Sequence, residues 1–300
     1  MTFSGTGGSR VNGNLRGIFW MVMTGLLFVA VTGMVRHLGT DMSPVQAAFI
    51  RYLFGLLLLT PVILRVVNFM RDPRVMGLHA TRGVVHGIGV MLWFFAMARI
   101  PIAEVTALGF TSPIFITIGA ALFLGERLHA HRVGAVLIGF GGALVVLQPG
   151  FQVINIGSIA QLIAAPLFAI SFLVAKRLTR TESSPAIVAY LSIFVTLTLL
   201  GPALAVWRTP TLIELGWLFG VAACATAGHY TLMQAFRAAD LTVTQPIQFL
   251  QLVWATLLGL MVFGEQPEIW TWVGGGMIVA SATYIAHREG RAKKQTQPDS

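Results

Sequence analysis

Residues 43–61 read SPVQAAFIRYLFGLLLLTP, and residues 184–202 read SPAIVAYLSIFVTLTLLGP. Both runs open on Ser-Pro (Ser43-Pro44, Ser184-Pro185), carry alanine at the same place (Ala48, Ala189) and close on a proline (Pro61, Pro202). Neighbouring stretches obey the same register. Gly17 matches Gly157, Leu27-Phe28 matches Leu167-Phe168, Gly89 matches Gly228, and Gly125-Glu126 matches Gly264-Glu265, with the offset drifting only between 141 and 139. One unit has been duplicated almost without insertions. Apolar stretches long enough to cross a bilayer fall at 15–35, 45–65, 77–98, 102–124 and 132–148, then at 156–176, 186–207, 213–236, 241–263 and 268–287. A span needs about 20 apolar residues to cross a hydrocarbon core about 30 Å thick, and helices satisfy their own backbone hydrogen bonds in lipid. The fold class is therefore all-α and polytopic, with ten transmembrane helices. Because five is odd, the second copy enters the membrane from the opposite side. Inverted repeats of this kind are an architecture of secondary transporters.

Composition agrees with this reading. The chain is 56% hydrophobic and only 10% charged, against about 25% charged in soluble domains, and its mean hydropathy is +0.78. The expected organisation is a flexible cytoplasmic N-terminus at 1–14, a first five-helix repeat at 15–148, a second at 156–287, and a disordered cytoplasmic tail at 288–300. Residues 1–14 lack the basic and apolar regions of a cleavable signal, so the first span is expected to direct insertion.

A net charge of +9 in a soluble protein would raise nucleic-acid binding, but these cations have a simpler explanation. With the N-terminus in the cytoplasm, 16 of the 20 Lys and Arg residues fall on the cytoplasmic side, Arg82 among them; only Arg36, Arg99 and Arg208 fall outside, and Arg51 lies within a span. That is the positive-inside pattern, with both termini cytoplasmic and nucleic acid excluded as a partner. The single cysteine, Cys224, lies inside a span and excludes a disulfide framework.

The connections are short, and many glycines recur four apart, such as Gly83 and Gly87, a spacing that lets helices approach closely. Two prolines stand at mid-span, Pro113 in the fourth and Pro166 in the sixth. Each frees a carbonyl, so both spans are expected to kink there, with the freed carbonyls facing a cavity or a polar side chain.

Ten spans in two repeats, with Leu124-Gly125-Glu126 and Phe263-Gly264-Glu265 each closing the fourth span of its half, resemble the drug/metabolite transporter superfamily and most closely its EamA-type members. The resemblance covers roughly residues 15–287. Within the superfamily the chain is similar to bacterial amino-acid and metabolite exporters, including aromatic amino-acid exporters of the YddG type. It implies a central cavity formed by the first, third, fourth, sixth, eighth and ninth spans. Spans five and ten are then peripheral or form a homodimer. The two glutamates, at span ends, read as fold features rather than substrate ligands.

Polar and aromatic residues form stripes on spans that the resemblance places around the cavity. The third span carries His86 and Trp93 on one helical face; the eighth carries Tyr230 and Gln234, with His229 beside them; the ninth carries Gln245, Gln248 and Gln251. Phe110 on the fourth span completes the candidate set. Polar groups at membrane depth are costly unless they face protein or water, and this combination suits a small solute with an aromatic or apolar body. Each also has a plainer reading: His86 as a satisfied interior residue, the glutamines as bonds between helices. Arg51 either snorkels to the surface, attracts an anionic group, or pairs with Glu104. Glu104 and Asp240 open their spans, where helix N-termini favour acids.

The sequence contains no metalloprotease HExxH, no Gly-rich phosphate loop ending in Gly-Lys-Ser/Thr, and no nucleophile beside a base. No metal, cofactor or catalytic residue is expected, and the chain is not read as an enzyme. The reading is an inner-membrane secondary transporter, its partners the bilayer and a small-molecule substrate. It is expected to export small organic solutes, amino acids with aromatic or apolar side chains foremost, by alternating access. The alternatives are a carrier of a nucleoside, vitamin or lipophilic cation, and a membrane-embedded enzyme using His86 and His229.

Overall fold

The structure is a computed structural model that describes residues 6–39, 41–67, 72–112, 115–116, 130–147, 155–179, 181–238, 247 and 250–296. Among these residues there are ten helices: α1 (Thr6–Leu38), α2 (Pro44–Val66), α3 (Pro73–Met97), α4 (Ile102–Gly109), α5 (Ala130–Leu147), α6 (Ile156–Leu178), α7 (Ser184–Ala205), α8 (Leu212–Ala238), α9 (Leu250–Phe263) and α10 (Ile269–Thr296). Local chemistry sets several starts. Asp72 accepts from the backbone N–H of Arg74 at the start of α3, Asn155 from Gly157 at α6, and Ser183 from Ala186 at α7; such caps satisfy donors that have no partner inside the helix. Prolines occupy the first turns of α2, α3 and α7, where the missing N–H costs nothing.

The packing has a twofold pattern. Helix α1 lies along α8 as α3 lies along α6; α1 meets α9 as α6 meets α4; α2 meets α8 as α7 meets α3; and α2·α7 and α5·α10 are each contacts of a helix with its own repeat mate. Exchanging the two repeats maps each of these contacts onto another or onto itself. The repeats are also inverted. Arg36, near the end of α1, donates to the carbonyl of Met97 at the end of α3, and the start of α6 at Gly157 packs on Arg99 and Ile100, just beyond that end. So α1 finishes where its repeat mate α6 begins.

Close approach is built from glycine. A Cβ on Gly83 would stand 2.1 Å from the Cβ of Phe194, and one on Gly87 would stand 3.3 Å from Thr198, which draws α3 onto α7. The symmetry reaches single atoms: Gly89 faces the ring of Phe168, and its mate Gly228 faces the ring of Phe28, each at 3.2 Å.

At the end of α9, Gly264 takes φ +65°, a conformation open to glycine at little cost. That turn lets Glu265 fold back. Its N–H donates to the Gly259 carbonyl, and its carboxylate accepts from the Ile102 N–H at 2.9 Å and pairs with Arg36 at 2.8 Å. One Gly-Glu pair thus ties the ends of α1 and α9 to the start of α4. Its mate, Gly125-Glu126, lies outside the described residues.

Two apolar cores occupy the two ends of the bundle. Val31, Val35, Phe94, Met97, Val221 and Ala225 belong to the one at the Arg36 end. Met21, Leu178, Ile187, Leu232 and Met233 belong to the other, at the end where α1 begins. Outward-facing Leu57, Leu64, Leu204, Leu212, Met261 and Val262 are exposed, an apolar surface suited to lipid. Among the described residues, six helical segments, Leu15–Leu38 and all of α2, α3, α6, α7 and α8, are long and apolar enough to cross a membrane.

Several expectations are revised. Arg82, counted with the cytoplasmic cations, lies nine residues inside α3 and is 1% exposed; Arg51 does not snorkel but is 6% exposed. The backbone is helical from Thr6 in α1 and through Thr296 in α10. Helix α4 ends at Gly109; helical backbone is present again at Ser112 and at 115–116, and the rest of the expected span lies outside the described residues. Proline at 113 has no N–H to give the Gly109 carbonyl. Pro113 itself lies outside the described residues. Helix α6 runs unbroken through Pro166. The carbonyl that Pro166 frees is that of Leu162, whereas the polar contact beside it, from the Ser112 hydroxyl at 3.0 Å, is made to Ala165.

Candidate functional site

Between the two apolar cores stands a layer of rings and polar groups drawn from α1, α2, α3, α6 and α8. His86 is its hub. The imidazole is 2% exposed, its Nδ1 lies 3.0 Å from the Ser171 hydroxyl, and its ring meets His229 at 5.3 Å, Phe168 at 5.1 Å and Tyr52 at 6.5 Å between centroids. Phe28 closes on His229 at 5.3 Å. The crossings are edge-to-face, the arrangement ring quadrupoles favour. Phe28 and Phe168 are repeat mates, so the duplication supplies the two walls of the layer. A hydroxyl pair, Thr24 and Thr231 at 2.8 Å, pins α1 to α8 beside it.

Two guanidiniums border the same layer. Arg51 stacks 3.8 Å over the Tyr52 ring, and Arg82 donates from Nη1 to the Ile187 carbonyl of α7 at 3.0 Å. Both charges act on Tyr52, His86 and His229. On insertion scales, an arginine at the centre of a span costs about 2.5–3.5 kcal/mol. A desolvated cation–π contact is worth about 2 kcal/mol, and a hydrogen bond to a charged donor about 1.5–3 kcal/mol. Each arginine is thus near balance without an acid. Among the described residues no ion pair joins a carboxylate to either one.

An apolar groove of about 380 Å³ borders this layer and is lined by Leu58, Leu59 and Val62 of α2, Pro185 and Val188 of α7, and Thr226 and Tyr230 of α8. Its size falls within the range of small-molecule sites, about 300–1,000 Å³. Tyr230 and Gln234 are joined at the groove side of α8, with Gln234 Nε2 donating to the tyrosine hydroxyl at 3.1 Å.

The structure therefore sorts the sequence candidates. His86 and His229 meet. Tyr230 and Gln234 meet each other but line the neighbouring groove. Trp93 packs on Phe94 at the edge of the first core. Phe110 is buried as the residue that ends α4. Gln251 is half-buried on α9. Gln245 and Gln248 lie outside the described residues. Arg51 does not pair with Glu104, which accepts from the Ser158 hydroxyl at 2.6 Å.

Sequence reading passed over Phe28, Tyr52, Arg82, Phe168, Ser171 and the buried Gln161, whose Nε2 lies against Gly109. A signal existed for the phenylalanines in their equivalent repeat positions. Among the described residues, no three His, Cys, Asp or Glu side chains gather as metal ligands do.

The sequence matches the EamA-like transporter family over residues 15–148 and again over 155–286. A riboflavin transporter of Rhizobium johnstonii is 33% identical over 283 residues, covering 93% of each chain. An S-adenosylmethionine uptake transporter of Rickettsia bellii is 28% identical over 277 residues, covering 92% of this chain and 95% of that one. A pseudopaline exporter of Pseudomonas aeruginosa is 24% identical over 272 residues, with coverage of 90% and 95%. A solved crystal structure, 18% identical, shares the fold at a TM-score of 0.63 over 94% of this chain and 99% of that chain.

Proposed function

The chain belongs to the EamA-like transporter family, and from that premise we propose that it carries a small heteroaromatic metabolite across the bacterial inner membrane by alternating access. The observation that carries this reading is the buried ring layer in which His86 and His229 meet between Phe28, Phe168 and Tyr52. Flat aromatic walls with a few polar edges suit a planar, nitrogen-bearing ring system. The solutes named for two relatives, riboflavin and S-adenosylmethionine, share that chemistry. Each joins a fused nitrogen heterocycle to a hydroxylated five-carbon unit. This moves the preferred solute away from the amino acids expected from sequence, although tryptophan keeps a place as the aromatic amino-acid reading.

In this proposal both termini are cytoplasmic, as the distribution of cations supports, and the Arg36–Glu265 end faces outward. Tyr230 and Gln234 serve the groove, through which the solute reaches the ring layer.

The test is counterflow in proteoliposomes with riboflavin, S-adenosylmethionine and tryptophan, each measured in both directions. A heteroaromatic solute should exchange at least tenfold above protein-free vesicles, and Phe168→Ala and His86→Ala should reduce that exchange while the purified proteins stay folded. Exchange of tryptophan alone would return the reading to amino acids. Exchange unchanged in both variants would remove the ring layer from the pathway.

A further inference from the structure

Apart from Glu289 of α10, the acids among the described residues stand at or beside a helix end: Asp72 and Glu182 at the end where α1 begins; Asp41, Glu104, Glu214, Glu265 and Glu268 at the other. The two buried arginines stand between these ends. Arg51 lies seven residues into α2 and Arg82 nine into α3. Of their donors, Arg51 Nη1 and Arg82 Nε are enclosed and make no hydrogen bond, and neither does His229 Nδ1. Arg51 is fixed by the Tyr52 ring below it, and Arg82 by the Ile187 carbonyl; neither contact removes charge.

Arg51 meets Tyr52 and Arg82 meets the Ile187 carbonyl, beside the layer in which His86 joins Tyr52, Ser171 and His229, and among the described residues no acid pairs with either arginine. An arginine fork with unused donors, held in low dielectric, is the arrangement that recognises carboxylates and phosphates.

Resting on the proposed transport of a ring-bearing solute, we infer that the solute also carries an acidic oxygen group, a carboxylate or a phosphate, and that Arg51 and Arg82 receive it. The ring then lies in the imidazole and phenylalanine layer while the oxyanion meets the two forks. The solute supplies the missing negative charge. Loading would thereby lower the electrostatic cost of enclosing both cations and couple occupancy to closure of α2 and α3 around the site.

Matched pairs test this in proteoliposome counterflow, because each pair shares its ring system and only one member of each carries an acidic group. Flavin mononucleotide against riboflavin probes a phosphate; S-adenosylhomocysteine against 5′-methylthioadenosine probes a carboxylate. The acid-bearing member of at least one pair should exchange at least tenfold faster. Arg51→Gln and Arg82→Gln should bring that ratio close to one, with Arg51→Lys and Arg82→Lys keeping most of it. Preference for the neutral member in both pairs would overturn the inference, as would a ratio that survives in both glutamine variants. Should a glutamine variant fail to fold, the wild-type ratio decides.

If no member of either pair exchanges, the ring-solute reading itself falls. The anion site is then decided separately by thermal unfolding of wild-type protein in detergent with sodium benzoate, against benzamide plus sodium chloride at equal ionic strength. Stabilisation by benzoate alone supports it; equal effects refute it.

Discussion

Gly83→Ala tests the seam that holds Arg82. The added methyl would stand 2.1 Å from the Cβ of Phe194 and 3.1 Å from that residue's backbone. Carbon contacts are comfortable at about 3.5–4.0 Å, so α3 and α7 must part by more than an ångström, since backbone cannot rotate away. Arg82, the preceding residue, reaches the Ile187 carbonyl across the same seam at 3.0 Å, and that bond does not survive the separation. Overpacking costs about 1–3 kcal/mol. A buried donor left unmade costs about 1–3 kcal/mol more. Against these, alanine in a helix interior is favoured over glycine by about 0.5–1 kcal/mol.

The net loss is about 1–5 kcal/mol, which corresponds to a fall of about 2–20 °C in the unfolding temperature. Gly77→Ala on the same helix is the control, since its methyl would meet nothing within 4 Å and should leave stability unchanged or raise it. Thermal unfolding of the detergent-solubilised proteins, followed by tryptophan fluorescence, reads both. If Gly83→Ala unfolds within a degree of Gly77→Ala, the close approach of α3 and α7 is wrong, and with it the placement of Arg82.

Four further outcomes are expected. Glu265→Ala should cost about 2–3 kcal/mol by stranding the Ile102 N–H and Arg36, whereas Glu265→Gln keeps an acceptor for Ile102 and should cost less than half as much; equal losses in thermal unfolding would refute the shared role of the carboxylate. Gly89→Ala and Gly228→Ala press on Phe168 and Phe28 at the same 3.2 Å, so their stability losses should agree within about 1 kcal/mol; a larger difference would break the equivalence of the two seams. Ser171→Ala removes the partner of His86 and should cost about 0.5–1.5 kcal/mol while changing the preference among heteroaromatic solutes; an unchanged preference would leave the bond purely structural. A reporter fused after Ser300 should read cytoplasmic, and a periplasmic signal would reverse the proposed orientation.

The duplicated register of residues 43–61 and 184–202 was enough to determine ten helices, their order and the inversion of the two halves, because bilayer thickness fixes helix length and an odd number of spans fixes direction. The spans of α2, α3, α6, α7 and α8 could be placed to within a few residues on the same ground. The Gly-Glu pair at 264–265 was visible as a motif, and its placement at a span end pointed to a fold role. The tertiary structure supplied the means, a positive φ at Gly264 that returns Glu265 to Ile102 and Arg36.

The site was less legible. A helical stripe shows which residues share a face, but not which of several neighbours that face meets. His86 and Trp93 share a stripe, yet His86 enters the ring layer and Trp93 packs on Phe94. His229 and Tyr230 are adjacent in sequence, yet about 100° apart around α8, so one enters the ring layer and the other lines the groove. Charge counting could not locate Arg82, because membrane depth depends on where α3 begins, at Pro73 rather than four residues later. The convergence of Phe28 with His229 and of Phe168 with His86 depends on α1 crossing to α8 and α3 to α6. Those contacts join opposite halves of the chain. Local periodicity carries no record of them, and only the packing of one repeat against the other brings them together.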